Sequence, residues 1–316
     1  MIFIEIERDA RLMNSITISQ LINRFSLEVL TGEEKLDNKI TKSPSRRPGL
    51  EFMDFFDFLP MNRVQVFGEN EIKYLHMLPE KERDMRVGNI VKYNPPCIIV
   101  TDGQRGLKYL RKYCTERKIP LLRTEETNYE FTGKLDAYLI STLAERIAIH
   151  GVCVNVYGTG ILIRGKSGVG KSETAHALIG RGHRLVADDI VVLKKLSPQT
   201  LLGTHNEKNK ELLALRSIGL LNVVKLYGRH AFKNQTRISL DIELVKWEGD
   251  SLHNELEIEP KYTEYMGVKV PHLQIQLKPG RDVTGLIEAA VNNWVLMQQG
   301  YSAAEEFKKR ITDDNH

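Results

Sequence analysis

Gly165-Lys166-Ser167-Gly168-Val169-Gly170-Lys171-Ser172 is the stretch on which the fold of this chain turns. It has the form G-x-x-x-x-G-K-[ST], and each position answers a physical demand. Three glycines among small neighbours let successive backbone N–H groups converge on one anion, the lysine ammonium bridges terminal phosphates, and the last hydroxyl is a hard oxygen suited to Mg²⁺. Residues 165–172 therefore predict a cradle for nucleotide phosphate, with Lys171 on the phosphates and Ser172 on the metal.

The flanks agree with that reading. Residues 152–157 and 160–164 are two apolar runs joined by a Gly-containing turn, as in a strand pair whose second member feeds the loop. From 171 to 179, Ala175, Leu178 and Ile179 share one helical face, and Gly180 and Gly182 provide the stop. Strand, loop and helix follow in the order a phosphate loop needs; the competing reading is a glycine-rich turn without a ligand. Further on, residues 184–192 read as a strand interrupted by Asp188 and Asp189. A carboxylate inside an apolar run is costly unless paired or metal-bound, so an aspartate there is a natural Mg²⁺ partner or proton acceptor. The alternative is a turn between two short strands. His150, just before the first strand of the pair, reads on its own as a structural histidine.

Toward the N-terminus the pattern changes. A short amphipathic helix is expected over 18–25, a turn at 46–50 into a second helix, strands at 63–68, 96–101 and 120–124, and helices at 70–77 and 106–118. That alternation predicts an α/β domain with a parallel sheet and no phosphate loop, read as a regulatory or assembly module. Leu135, Leu139, Leu143 and Ile147 predict a helix from 134 to 149 linking the halves. The division expected is 1–138 and 139–316, with residues 1–12 either an upstream extension before Met13 or a loose arm.

Composition narrows the class. The chain has 316 residues, 41% hydrophobic and 27% charged, enough for two cores. A net charge of +4 spread over both halves offers no basic stripe for nucleic acid. Cys97, Cys114 and Cys153 are odd in number, far apart and without metal-ligand spacing, which predicts reduced core thiols in a cytoplasmic protein. No apolar run approaches the roughly 18 residues of a membrane span, and Glu5, Glu7 and Asp9 make the N-terminus unlike a signal peptide.

Taken together, His150-Gly151-Val152, the loop through Glu173, RGHRLVADD at 181–189, LALRSIGLLNV at 213–223 and KPGR at 278–281 resemble the HPr kinase/phosphorylase family. The resemblance implies an N-terminal α/β domain with a C-terminal P-loop serine kinase domain of the phosphoenolpyruvate carboxykinase-like type, assembled as a hexamer. It implies ATP and Mg²⁺ as cofactors, and as partner HPr, the phosphocarrier of the sugar phosphotransferase system. The reaction implied is phosphorylation of an HPr serine, reversed by inorganic phosphate, in the control of carbon metabolism. Carried over by motif, Asp189 accepts the serine proton and returns one in reverse, Asp188 supports it, and His150 helps set their protonation. Lys171 and the loop amides hold phosphate, and Ser172 holds Mg²⁺.

Two segments depart from the family pattern. Ala214-Leu215-Arg216-Ser217 stands where the family has E-I-R-G, and Asn254-Glu255-Leu256-Glu257 where it has a D-R-L-G-like segment. The metal shell is then completed either by Ser172, phosphates and water, or by Glu211, one turn earlier if that segment is helical. Phosphorolysis, which brings free phosphate beside a phosphoserine, is the direction expected to suffer. Two other readings stand beside this one: a P-loop small-molecule kinase or carboxykinase-like enzyme, and a nucleotide-sensing regulator without catalysis. Finally, the apolar positions between Leu286 and Val295 exceed one core-facing stripe, as expected of a helix buried on two sides.

Overall fold

The computed structural model describes residues 15–56, 62–247 and 261–313. Residues 1–12, Glu255 and its neighbours lie outside the described residues. The chain forms two compact units, Met13–Ala144 and the part from Glu145 onward.

In the first unit the elements are β1 (Ile16–Thr17), α1 (Ile18–Phe25), β2 (Glu28–Thr31), β3 (Lys39–Ile40), β4 (Gln65–Phe67), α2 (Glu69–Met77), α3 (Glu80–Lys92), β5 (Ile98–Val100), α4 (Lys108–Arg117), β6 (Leu121–Arg123) and α5 (Asn128–Leu143). α1 starts where Thr17 and Gln20 cap each other: the Gln20 N–H donates to the Thr17 hydroxyl at 3.2 Å, and the Thr17 N–H to the Gln20 side chain at 2.9 Å. The central sheet has the order β2-β6-β5-β4, parallel through β4, β5 and β6, with β2 antiparallel at the edge. Its strands are covered on both sides. Phe67, Ile98, Val100 and Leu121 pack with residues of α2, α3 and α4, while Val66, Ile99 and Leu122 pack with residues of α1 and α5. Double burial explains why these strands read as unbroken apolar runs.

The linking helix expected over 134–149 is a correction. α5 begins earlier, where the Thr127 hydroxyl accepts from the Glu130 N–H, and ends at Leu143. The next six residues, Glu145–His150, are instead β7. Leu135 and Leu139 are buried helix positions as expected, but Ile147 belongs to a strand. Periodicity was misleading because Arg146-Ile147-Ala148-Ile149 alternates with period two and finds a partner strand more than forty residues away. Likewise the turn at 46–50 leads only into a short 3₁₀ turn, Leu50–Met53.

The second unit continues with β8 (Val152–Val156), β9 (Thr159–Arg164), α6 (Lys171–Gly180), β10 (Arg184–Ala187), β11 (Ile190–Ser197), β12 (Thr200–His205), β13 (Leu212–Leu215), β14 (Gly219–Asn222), α7 (Val223–Tyr227), β15 (Gln235–Lys246), β16 (Lys261–Tyr265), β17 (Val268–Leu277), α8 (Val283–Gln298) and α9 (Ala303–Asp313). Strand order runs β10-β8-β9-β15-β12-β11-β7, and β17 pairs with both β15 and β16. β15 is the spine: it runs parallel to β9 and β17 and meets β12 antiparallel through its first residues. β8 and β9 form a hairpin whose two-residue turn, Tyr157-Gly158, has φ of 50° and 87°, the left-handed pair such a turn requires.

Alternation along that hairpin sorts its two faces. Val152, Val154, Val156, Ile161 and Ile163 pack with Ala175, Leu178 and Ile179 of α6 and with Ile287 and Val291 of α8. Cys153 and Leu162 face Val186, Val191, Leu193, Leu201 and Ile238. In α8 the wider apolar surface is only partly used: Ile287 and Val291 are buried, whereas Leu296 and Met297 are 43% and 37% exposed. All three cysteines are free and buried, and burial pushes the Cys114 thiol up to about 12. No described helix is long and apolar enough to cross a membrane.

Candidate active site

β9 delivers the chain into the loop and α6 carries it away. Between them Gly165, Gly168 and Gly170 adopt φ of 143°, 77° and 105°, a region that side chains disfavour. Gly165 has a second reason to lack a side chain, since a Cβ there would lie 2.4 Å from the Leu244 carbonyl oxygen on neighbouring β15. The Val169 N–H donates to the Lys166 carbonyl at 3.2 Å. Lys171 folds across the loop, its ammonium donating to the carbonyls of Gly165 at 2.9 Å and Lys166 at 3.3 Å. The ammonium is thus held on the inner rim of a turn built to present N–H groups to an anion.

At the start of α6 the Ser172 hydroxyl donates to Asp188 Oδ1 at 2.9 Å. The other carboxylate oxygen accepts from the Ala214 N–H, also at 2.9 Å. Asp188 is 3% exposed. Burial raises its carboxyl above the ordinary value, although the Ala214 N–H and the Ser172 hydroxyl pull the other way. Asp189, next in sequence, has the opposite surroundings: its side chain is 64% exposed and its φ is 67°. The two aspartates occupy the bend between β10 and β11, closed by Ile190 N–H to the Asp188 carbonyl at 2.8 Å and Gly151 N–H to the Asp189 carbonyl at 3.0 Å. The pair is thus a turn between two strands, and it sets the Asp188 carboxylate against Ser172 at the start of α6.

His150 joins the site through strand pairing. β7 and β11 are antiparallel with His150 opposite Ile190, which puts its Nδ1 3.6 Å from Asp189 Oδ1. Loop, lysine, serine, aspartate pair and histidine thus gather at one end of the sheet. Glu211 does not have the placement the sequence suggested. The segment after it is strand β13, hairpinned to β14, and Glu211 precedes it at φ 64°, so no helical turn carries its carboxylate back.

The donor set suits Mg²⁺. Ser172 and Asp188 offer hard oxygens at bonding distance from one another, and the burial that disfavours the Asp188 charge would be offset by a cation. Among the described residues no group of three or more His, Cys, Asp or Glu side chains could hold a metal. The remaining ligands then fall to phosphate and water, as Mg²⁺ prefers.

Two features here escape sequence reasoning. Arg164, the last residue of β9, forks onto the fully buried Asp241 of β15 at 2.7 and 2.5 Å, and His272 of β17 reaches the same carboxylate at 3.0 Å. Asp241 falls in the polar phase of the alternating segment 238–245, with Ser239 and Glu243, so by pattern it reads as an exposed position and its burial shows only in the folded sheet. The second feature is Arg216, whose guanidinium covers Gly168: a Cβ on that glycine would lie 2.2 Å from Nη2. Only the folded hairpin shows this.

The same chain matches two family models end to end, HPr Serine kinase N terminus over residues 16–139 and HPr Serine kinase C-terminal domain over residues 141–311. It is 66% identical over 299 residues to "Putative HPr kinase/phosphorylase 2" of Oceanobacillus iheyensis, covering 95% of this chain and 98% of the relative. It is 38% identical to the HPr kinase/phosphorylase of Halalkalibacterium halodurans, over 95% of this chain and 97% of that one. Among solved structures, the Hpr(Ser) kinase/phosphatase from Coxiella burnetii is 35% identical, covering 51% of this chain and 98% of that chain with a TM-score of 0.45. With a phosphate loop followed by an aspartate pair in the second unit, and with both family models matched over nearly its whole length, the chain belongs to the HPr kinase/phosphorylase family.

Proposed function

We propose that this chain phosphorylates a serine of HPr from Mg-ATP, with the reverse phosphorolysis as the weaker direction, in the cytoplasm. The observation that carries the reading is the clasp of Ser172 by buried Asp188 beside exposed Asp189, with Lys171 lying across the loop. These four groups divide the work of phosphoryl transfer, which is chiefly positioning and charge neutralisation. The loop N–H groups and Lys171 hold the phosphate chain. Ser172 and Asp188 would hold Mg²⁺, which when bound neutralises charge on the transferring phosphoryl group.

Asp189 then takes the serine proton. An exposed carboxylate is a weak base, so its contribution comes from standing at the open tip of the bend, where a protein hydroxyl can reach it. His150, 3.6 Å away, is placed to orient that carboxylate. In reverse, Asp189 returns the proton to the serine oxygen as phosphate attacks.

We read residues 139–316 as the catalytic domain, a P-loop kinase domain of the phosphoenolpyruvate carboxykinase-like type whose body is the unit from Glu145 onward, and residues 1–138 as the regulatory and assembly domain. Assembly as a hexamer belongs to the same reading. It is supported by the apolar residues left exposed near the C-terminus, Leu296, Met297, Tyr301 and Phe307; the mass in solution by light scattering reads it, and a monomer at micromolar concentration would count against it. The decisive experiment for function is incubation with purified HPr, labelled ATP and Mg²⁺, followed by mapping of the label. Label on one HPr serine is expected. ATP binding without transfer to HPr would select a nucleotide-sensing regulator instead.

A further inference from the structure

The first unit has a cavity of about 350 Å³ at the end of its sheet where the parallel strands begin, within the range of about 300–1,000 Å³ typical of small-molecule sites. Pro95 and Pro96 lead from it into β5, and Ile119 and Pro120 into β6. Pro95, Ile119 and Pro120 are buried and form an apolar floor. Proline makes that floor rigid and leaves no N–H to solvate. The connection from β2 to β3 is pressed onto it: Gly32 has φ 79°, and a Cβ there would lie 2.7 Å from the Pro120 nitrogen. Turns at Lys35 N–H to the Gly32 carbonyl, 3.1 Å, and Asn38 N–H to the Lys35 carbonyl, 3.0 Å, fix the rest of that wall.

The walls are cationic. Lys35, Lys39, Arg117 and Lys118 line the cavity, and among the described residues no carboxylate does. None of the four has a carboxylate partner among the described residues, whereas Arg46, Arg86 and Arg123 of the same unit each meet one. Positive groups around one concavity repel one another and focus a positive potential into it, and an anion relieves both. Asn38, Asn62 and Asn94 add side-chain amides that make no hydrogen bond to the protein among the described residues. Each offers two donors and an acceptor. A competing account is that the cations serve the negative end of α4, where Arg117 and Lys118 stand. It does not reach Lys35 and Lys39, which lie in the β2–β3 connection and β3. The last carbonyls of α4 are also already used, by Ile119 N–H to Cys114 at 2.8 Å and Lys118 N–H to Thr115 at 3.1 Å.

We propose that this cavity binds a small organic phosphate, a phosphate monoester whose carbon skeleton carries hydroxyl groups. The Arg117 fork and the lysine ammonium groups match phosphate oxygens. The three asparagine amides are suited to hydroxyl groups, and the proline and isoleucine floor to the C–H face between them. A polynucleotide would instead need a basic stripe along the surface. The site lies wholly within the first unit and does not depend on the nucleotide reading of the phosphate loop.

The test is isothermal titration calorimetry of the full chain with ribose 5-phosphate, compared with inorganic phosphate, citrate and ribose. Ribose 5-phosphate should bind more tightly than inorganic phosphate or citrate, and ribose should give no signal. The double variant Lys35→Gln/Lys39→Gln should lose at least about tenfold in affinity, as two charge-assisted contacts disappear. Arg117→Lys should lose less, because the charge remains without the fork. Binding should persist in Lys171→Ala, which impairs the phosphate loop alone. Without ligand the double variant should melt at the same temperature as the unsubstituted protein or higher, since like charges have been removed. No binding of ribose 5-phosphate, citrate bound as tightly, or full affinity in the double variant would overturn the proposal. So would loss of binding in Lys171→Ala, which would assign it to the phosphate loop, or a lower melting temperature of the double variant, which would make the lysines structural.

Discussion

At the root of the phosphate loop Asp241 is fully buried and well partnered, with the Arg164 guanidinium forked onto it and His272 at 3.0 Å. Beyond the loop's far end Asp188 is nearly as deep, 3% exposed, yet its partners are a hydroxyl and a backbone amide, both neutral. Burial raises both carboxyls. At Asp241 the bonds from Arg164 and His272 override it and hold the group below the usual carboxylate range; at Asp188 the neutral donors do not, and it stays above. One end of the loop is electrically closed and the other open. A closed buried pair needs nothing more, whereas an open one would be completed by a cation from outside. The same criterion separates Arg164, fully paired, from Arg216, which meets no acid among the described residues.

The largest effect expected from this contrast is on stability. Asp241→Ala leaves Arg164, whose side chain is only 13% exposed, without its partner, and breaking a buried pair from one side costs about 3–5 kcal/mol. Urea unfolding of the unsubstituted and variant proteins measures it; a loss below about 1 kcal/mol would place Asp241 with ordinary surface pairs. pH sharpens the test. Because the folded-state value of Asp241 lies below the unfolded one, its contribution is complete above the unfolded value of about 4 and is lost as pH falls through the folded value. The gap between the two proteins should therefore close on acidification, not on going alkaline.

Next in size is Asp189→Asn. This side chain is 64% exposed and supports no buried group, so unfolding should be unchanged. Phosphoryl transfer to HPr should fall on the order of a hundredfold or more, with nucleotide affinity retained, since size is kept and the proton acceptor is lost. Steady-state kinetics at saturating Mg-ATP decides. If the variant instead keeps its rate at saturation and binds Mg-ATP weakly, Asp189 is a metal ligand and Asp188 becomes the candidate base.

Local chemistry carried most of the site into the sequence. The loop, α6 and the bend at Asp188-Asp189 are contiguous, and each is specified by glycines, small residues or a carboxylate in an apolar run. Three strands of the first unit's sheet, β4, β5 and β6, were legible for the same reason, since doubly buried strands are unbroken apolar segments, whereas the half-exposed edge strand β2 was not. What could not be read depends on pairing between distant segments. β7 was mistaken for the end of a helix because its strand partner lies at 190–195. His150 consequently looked like a lone histidine. The bond from the Ala214 backbone N–H to Asp188 was hidden as well, because it depends on where the β13–β14 hairpin packs and not on the side chain at 214. Arg216 sits in a turn whose direction is set by packing of Leu213 and Leu215, which no local pattern reveals.

A small expected effect on stability at an equally deep carboxylate completes the contrast. In Asp188→Asn the amide oxygen still accepts from the Ala214 N–H, and the amide N–H₂ can donate to the Ser172 hydroxyl, which rotates to accept it, so no buried partner is stranded. The substitution also removes a charge that burial already disfavours. Without nucleotide or Mg²⁺, the unfolding free energy should change by less than about 1 kcal/mol in either direction, in contrast to the equally buried Asp241. The loss should show elsewhere, as a rise in the Mg²⁺ concentration needed for half-maximal transfer, because one hard anionic oxygen has become a neutral one. Urea unfolding and a Mg²⁺ titration of the HPr reaction, made on the same preparation, read the two sides together. A destabilisation as large as that of Asp241→Ala with an unchanged Mg²⁺ requirement would mean that Asp188 is a structural acceptor and that the two ends of the loop are built alike.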